Sequence, residues 1–392
     1  MSTQLLDGWW RDYAVLALRL GRRLEESGAG PGLIYTGPEE WRTAVAAEDP
    51  VAAGRLADDA GALRETVPVD GVRAERLRAT LTAIEAVARG LDGVTMPFAE
   101  YAGRCLGVPV APEPDDTFAA AHDRLAGALP PGPGSLAERW HAWQRAHQLP
   151  DERVAECAEA AVAECVARTR TLAALPEVVE IDVRQEPGPN RGHHAGGGRG
   201  TLYLAAGQPF NGADLLYVVA HETFPGHIAE SMLTYGDTAA EPERAVRPLL
   251  SPAFVVSEGI GLHAQEIAFP GDEAQRWLAH HVLDGAVAGE LAAIHEARTA
   301  LWGAWGNAAL LAAEGRPDDE VAGYLTRWAL LTEAETAWAV AYLRSPGAGV
   351  YVQGYFQGWK LVRGWLDADA DGRRARFARL LTEPLFPAEL RY

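Results

Sequence analysis

The sequence predicts a mainly α fold carrying one small β-sheet. Three observations support this. Helical periodicity recurs along most of the chain, and alternating strand character is confined to two short stretches. No run approaches the roughly eighteen uninterrupted apolar residues that a membrane span needs. At 392 residues with 48% hydrophobic content, the chain is long enough to bury a large core.

Amphipathic or buried helices are predicted over 9–26, 72–91, 136–147, 154–175, 274–303, 318–331 and 333–343. The strand signals lie at 178–183, where character alternates, and at 201–204, with a glycine-rich stretch from 188 to 200 between them. Strand 201–204, which includes Tyr203, is expected at a free edge where an extended peptide can pair with its backbone. The clearest linker is Leu129-Pro130-Pro131-Gly132-Pro133-Gly134-Ser135. It separates an N-terminal helical region, 1–128, from a region 136–392 that holds the chemically informative residues, within one compact domain or two.

The most informative segment is His221-Glu222-Thr223-Phe224-Pro225-Gly226-His227. It offers two imidazoles able to ligate a metal and a carboxylate able to activate a metal-bound water. The common zinc-peptidase motif places its histidines four residues apart on one helical face. Here they are six apart, which on an unbroken helix separates the rings by about 240°. Pro225 and Gly226 supply the break: proline removes a helical N–H, and glycine tolerates backbone angles closed to other residues. Upstream, Asn211 or Asp214 can cap a buried helix through Leu215-Leu216-Tyr217-Val218-Val219-Ala220, which delivers His221 and Glu222 at its end. Read plainly, the segment is a surface helix ending at Pro225 with two incidental histidines.

A zinc hydrolase site takes three protein ligands, and Glu258 is the candidate third. It sits in the apolar stretch from Phe254 to His263, where a carboxylate is costly to bury without a cation. Its plain reading is a first-turn glutamate at a helix N-terminus, and Glu266 is the next candidate ligand.

The pattern His-Glu-x-x-Pro-Gly-His, followed about thirty residues later by Ser257-Glu258-Gly259, resembles the bacterial family called domain of unknown function 885. That family is itself similar in fold to the carboxypeptidase Taq metallopeptidases. Stretches 200–204, 306–311 and 355–363 extend the likeness to shorter actinobacterial members, over roughly 140–392. The resemblance implies a large helical metallopeptidase-like fold with its small sheet next to an active-site cleft. It also implies one zinc ion on His221, His227 and Glu258, with Glu222 as general base. The chain departs from the family at Ile228, where members often have a second histidine, and at Ile260, where an aromatic is usual. It also lacks the Asp-Thr-Gly-Ile-His stretch of longer members.

Other candidates are His263, five residues after Glu258, as an oxyanion donor, and Tyr355 in the same role. Lys360 and Arg363, with Arg344, are candidate cations for a substrate carboxylate. Each has a bland alternative: a core histidine, a packed aromatic face, surface cations. His193 and His194 in the glycine-rich stretch can be mobile substrate contacts, or loop histidines without a role. His280-His281 and His295-Glu296 have no ligand at metal spacing and read as structural or exposed.

A formal charge of −19, from 35 basic against 54 acidic residues, argues against nucleic acid or an anionic membrane as partner. Three cysteines are too few and too irregularly spaced for a disulfide framework or a thiolate metal site. With no basic-then-apolar leader in residues 1–12, a cytoplasmic location is expected. The sequence points to a zinc-dependent hydrolase of a small peptide or amide, narrowed to a carboxypeptidase if a cation reaches the site. Two alternatives remain: a non-haem iron or manganese enzyme tailoring a small metabolite, since two histidines and a carboxylate also suit iron, and a non-catalytic metal- or ligand-binding protein.

Overall fold

The computed structural model describes residues 3–28, 32–236, 238–283 and 285–390, and these are mainly α-helical. The first layer comprises α1 (Thr3–Glu26), β1 (Leu33–Tyr35), α2 (Glu39–Ala47), α3 (Ala53–Glu65), α4 (Gly71–Leu91) and α5 (Phe98–Leu106). Then follow α6 (Asp115–Ala128), α7 (Leu136–Ala146), β2 (Gln148–Leu149), α8 (Asp151–Thr169), β3 (Glu180–Glu186), β4 (Arg191–Gly196), β5 (Arg199–Ala205) and β6 (Phe210–Asn211). The remainder is α9 (Leu215–Glu222), α10 (His227–Leu233), β7 (Val246–Pro248), α11 (Pro252–Ala268), α12 (Glu273–His281), α13 (Leu291–Ala300), α14 (Trp302–Ala313), α15 (Asp318–Trp328), α16 (Glu333–Leu343), α17 (Ala348–Asp367) and α18 (Arg373–Thr382).

Local chemistry explains several boundaries. The prolines of 129–135 stop α6, and Ser135 opens α7 with a capping box: its hydroxyl accepts from the Glu138 N–H (3.3 Å), while the Glu138 carboxylate accepts from the Ser135 N–H (2.7 Å). Thr332 and Glu335 do the same for α16. The segment 274–303, expected as one helix, is broken between His281 and Leu291. Gly289 takes a left-handed φ of 89°, and a side chain there would strike the Ala128 carbonyl oxygen at 2.5 Å. Gln275 secures the break by donating to the carbonyls of Val287 (2.9 Å) and Gly289 (2.8 Å).

The glycine-rich stretch is not a loop. Its residues 191–196 form β4, in a three-stranded sheet of order β3-β5-β4, with β3 parallel and β4 antiparallel to β5. Strand β5, carrying Tyr203, is therefore central and paired on both sides; the expected free edge at 201–204 belongs to β4 instead. Glycine is required here because strand and helices nearly touch. A side chain at Gly192 would overlap the Glu222 carbonyl, and one at Gly200 would press on Ile228 at 3.1 Å.

Two apolar clusters fill the interior. One joins α1, α3, α4 and α5; the other runs from Phe118 to Leu390 and crosses the irregular segment 129–135, so α6 packs with the later helices. Both meet on α11, which gives Phe254 and Val255 to the first and Val256, Ile260, Ala264 and Ile267 to the second. Against it lies α17, so close that a side chain at Gly358 would collide with the Val255 carbonyl. At the head of α9, buried Asp214 pairs with Arg298 (2.6 Å) and His295 (3.0 Å) of α13.

Gly358→Ala is expected to lower stability by about 1–3 kcal/mol through overpacking, whereas Gly323→Ala, in α15 with open space around it, is expected to raise stability by about 0.5–1 kcal/mol. Urea unfolding midpoints of the two variants moving the same way would contradict the packing described. Burial alone would raise the Asp214 carboxyl, but Arg298 and His295 bring it down to about 2. A depressed carboxyl stabilises the fold above its unfolded value near 3.9, and that contribution is lost as pH falls through about 2. The stability gap between wild type and Asp214→Asn should therefore be roughly 2 kcal/mol at neutral pH and shrink below about pH 4, as measured by denaturant unfolding across pH.

Candidate metal centre

Helix α9 ends at Glu222 and α10 begins at His227, with a cis Phe224–Pro225 bond in the turn between them. The backbone folds back tightly here: a side chain at Gly226 would overlap the His221 carbonyl. The reversal sets the two imidazoles edge to face, with ring centroids 4.6 Å apart. This is the break that the six-residue spacing requires.

Helix α11 presents Glu258 to both rings. Its Oε2 lies 3.4 Å from His221 Nε2 and its Oε1 3.6 Å from His227 Nε2. One ligand atom from each of the three residues falls within 4.8 Å of the others. Glu258 is 2% exposed, and its Oε2 has no hydrogen-bond partner. An isolated buried carboxylate oxygen is expensive unless a cation or donor meets it. Two imidazole nitrogens and a carboxylate form a known zinc set, so the residues present fit a divalent ion.

Both imidazoles are held from behind. The Ser257 hydroxyl lies 3.1 Å from His227 Nδ1 and donates to Glu230 Oε2 at 2.5 Å, and Arg247 binds the same Glu230 oxygen at 3.2 Å. A serine that donates to Glu230 accepts from Nδ1–H, which turns the Nε2 lone pair toward Glu258. The His221 ring packs against the backbone at Gly261, where a side chain would sit 2.6 Å from it. Burial, with His221 and Arg247 nearby, pushes the His227 imidazole well below its ordinary value, so it is neutral, as a metal ligand must be.

Glu222 stands beside the triad. Its Oε2 accepts from the Gly192 N–H of β4 at 2.9 Å, and burial pushes its carboxyl up to about 7, partly opposed by the His221 charge. Arg191, next along β4, also acts on Glu222 and stacks on Tyr203 at 4.0 Å. Tyr203 is thus tied to the site through Arg191. On the opposite wall, burial and the Glu258 charge push the phenols of Tyr351 and Tyr355 well above their ordinary value. Tyr355 stacks on Trp302 (4.4 Å), and contacts continue through Trp305 and exposed Trp338 to Tyr342.

The structure brings together His221, Glu222, His227, Glu258 and Tyr355. It does not bring in His263, whose ring nitrogens are engaged by Glu266 (2.6 Å) and the Trp359 carbonyl (3.0 Å), leaving nothing to offer an oxyanion. The proposed cations are also committed elsewhere: Lys360 to Glu113 (2.5 Å), Arg363 to Glu296 (2.7 Å) and Arg344 to Asp318 (2.7 Å). Glu266 pairs with His263 and Arg373, away from the triad. His193 and His194 lie on β4, with His194 bonded to the Gly197 carbonyl at 2.9 Å. Sequence reasoning missed Gly192, Arg191, Gly261, Glu230 and Tyr351. Of these, the second glycine in Glu258-Gly259-Ile260-Gly261 was the legible signal, since glycine inside an apolar helix marks a close approach. Ile228 is buried against the sheet glycines.

No protein-family model matches the chain, and no curated protein matches it either. Among solved structures it is similar to one described as "the putative lipoprotein from Colwellia psychrerythraea", with a TM-score of 0.56 at 14% identity. The match covers 87% of this chain and 66% of that one, so about a third of the neighbour's length is left unmatched. At that identity the likeness speaks to fold alone. Among the described residues, no helix is long and apolar enough to cross a membrane.

If the triad takes up a divalent ion such as zinc, Ser257→Ala and Glu230→Gln are expected to weaken its affinity by about 10–100-fold without unfolding the protein, as read by competition with a chromogenic chelator. Gly261→Ala, which displaces the His221 ring, is expected to weaken it at least as much.

Proposed function

We propose that the protein is a metal-dependent hydrolase, with zinc the metal best suited to the donor set, acting on a peptide or another amide. The observation that carries this reading is the unpartnered Glu258 oxygen facing two imidazoles, with a buried glutamate beside them that is not one of the three ligands. A purely structural zinc site fills all four positions with protein ligands and needs no such neighbour. The resemblance to the domain of unknown function 885 family is consistent with it.

A divalent ion held by His221, His227 and Glu258 would supply Lewis acidity. The chain's own residues do the rest. Gly192 fixes one oxygen of Glu222 and leaves the other to take a proton from the attacking water and pass it to the leaving amine. Tyr351 and Tyr355, kept protonated by burial and by the Glu258 charge, can donate hydrogen bonds to the developing oxyanion. The edge of β4 offers backbone groups to an extended substrate, in place of 201–204. Lys360, Arg363 and Arg344 are committed elsewhere and Arg191 is itself paired with Glu186, so these cations do not favour carboxypeptidase action over hydrolysis of another peptide or amide bond.

The test combines metal content of protein purified without added metal with turnover of a peptide and amide library. Wild type is expected to hold about one zinc; Glu222→Gln should keep it and lose about 10²–10⁴-fold in rate, and His227→Ala should lose both. A wild type without metal, or one holding iron with oxygen-dependent turnover, would overturn the proposal.

A further inference from the structure

Six aromatic rings stand on three helices beside the triad: Tyr351 and Tyr355 on α17, Trp302 and Trp305 on α14, Trp338 and Tyr342 on α16. Backbone contact brings α17 to the triad. A side chain at Gly259, next to Glu258, would strike the Gly358 carbonyl oxygen at 2.5 Å, and Tyr355 lies about one turn before Gly358. From Tyr355 the rings run on through Trp302 (stacked, 4.4 Å), Trp305 (5.6 Å), Trp338 (6.4 Å) and Tyr342 (stacked, 5.1 Å). Tyr351 meets Tyr355 edge to face at 5.6 Å. Burial first, and then the charge of Glu258, raise the phenols of Tyr342, Tyr351 and Tyr355. The path of rings thus leaves Glu258 at one end and returns to it at the other, so the rings stand around the approach to the triad instead of leading away from it.

These rings keep bare faces. Five are half-buried, and Trp338, 62% exposed, is the one exposed aromatic side chain among the described residues. Elsewhere the protein covers such rings: Trp10, Trp328, Trp359 and Trp365 each carry an arginine over the ring. Among the described residues, none of the six has a cation over it. The segments that bear them are also free of charge, since 302–313, 336–343 and 345–359 contain no Asp, Glu, Lys, Arg or His. A charged substrate group would find no counter-ion on these segments, and a divalent ion at the triad would further disfavour a cation. A neutral aromatic ring needs no counter-ion and gains stacked and edge-to-face contacts.

We propose that the six rings form the specificity subsite of the metal centre, receiving a neutral aromatic group attached next to the scissile amide. The proposal rests on the metal-dependent hydrolase reading and narrows its substrate class. Tyr351 and Tyr355 serve twice, with hydroxyls for the oxyanion and ring faces for the aromatic group, while Trp302, Trp305, Trp338 and Tyr342 serve only the second purpose.

Calorimetric titration of the zinc-loaded full-length protein tests it with three hydroxamates that share one metal-binding head: acetohydroxamate, 3-phenylpropanohydroxamate and 6-aminohexanohydroxamate. The phenyl probe should bind about tenfold or more tighter than acetohydroxamate, and the amino probe no tighter than acetohydroxamate. Trp302→Leu and Trp338→Ala should each lower the ratio of phenyl-probe to acetohydroxamate affinity about threefold or more. No preference for the phenyl probe in wild type, a ratio unmoved in both variants, or tighter binding of the amino probe than of the phenyl probe would overturn the subsite and leave the metal centre standing. Protein that takes up no zinc would overturn the hydrolase reading and the subsite with it, so metal content tells the two failures apart. Trp338 is exposed, so its variant carries the test alone if unfolding midpoints show Trp302→Leu to be unstable.

Discussion

The structure depends on one costly arrangement: the carboxylate of Glu258 lies within α11, a helix that is almost wholly buried. Leaving a buried carboxylate oxygen without a donor costs several kcal/mol unless a cation meets it. Two imidazoles face Glu258, one neutral and one drawn toward protonation by its carboxylate neighbours, and the remaining polar contacts lie behind the ligands. A cation at the triad relieves the cost, so metal affinity and fold stability are linked through the same residue.

Holding three ligands from three helices requires those helices to approach within backbone contact. Glycines provide this where it matters. Gly226 lets α9 reverse into α10, Gly261 admits the His221 ring against α11, and Gly259 and Gly358 let α11 and α17 touch. The last contact brings Tyr351 and Tyr355 over the site, so a packing device between helices also sets the aromatic wall. These positions contribute no ligand atom, yet each controls where a ligand or a phenol points.

The fold class was legible because helical periodicity is local, and so were α4, α7 and α16, the last two opened by capping boxes. Of the triad, His221 and His227 were legible from spacing plus a helix breaker, and Glu258 from the improbability of a carboxylate in an apolar run. What failed depended on pairing between distant segments. Strand β4 has almost no side-chain signature of a strand; it exists because glycine permits its contact with Glu222. The length of 274–303 concealed a break fixed by contacts to residues 128 and 143. His263 and Lys360 looked free in sequence because their partners, the Trp359 carbonyl and Glu113, come from elsewhere in the fold.

The two faces of α11 serve different partners. Toward α9 it offers a carboxylate that needs a cation; toward α13 it offers the Gln265 carboxamide, which donates to His295 Nδ1. Tyr217 joins the two sides. One helical turn before His221, its phenol meets Thr299 of α13 while lying within the field of Glu258. The Asp214–His295–Gln265 chain starts at the head of the helix that carries His221 and Glu222 and ends on the helix that carries Glu258.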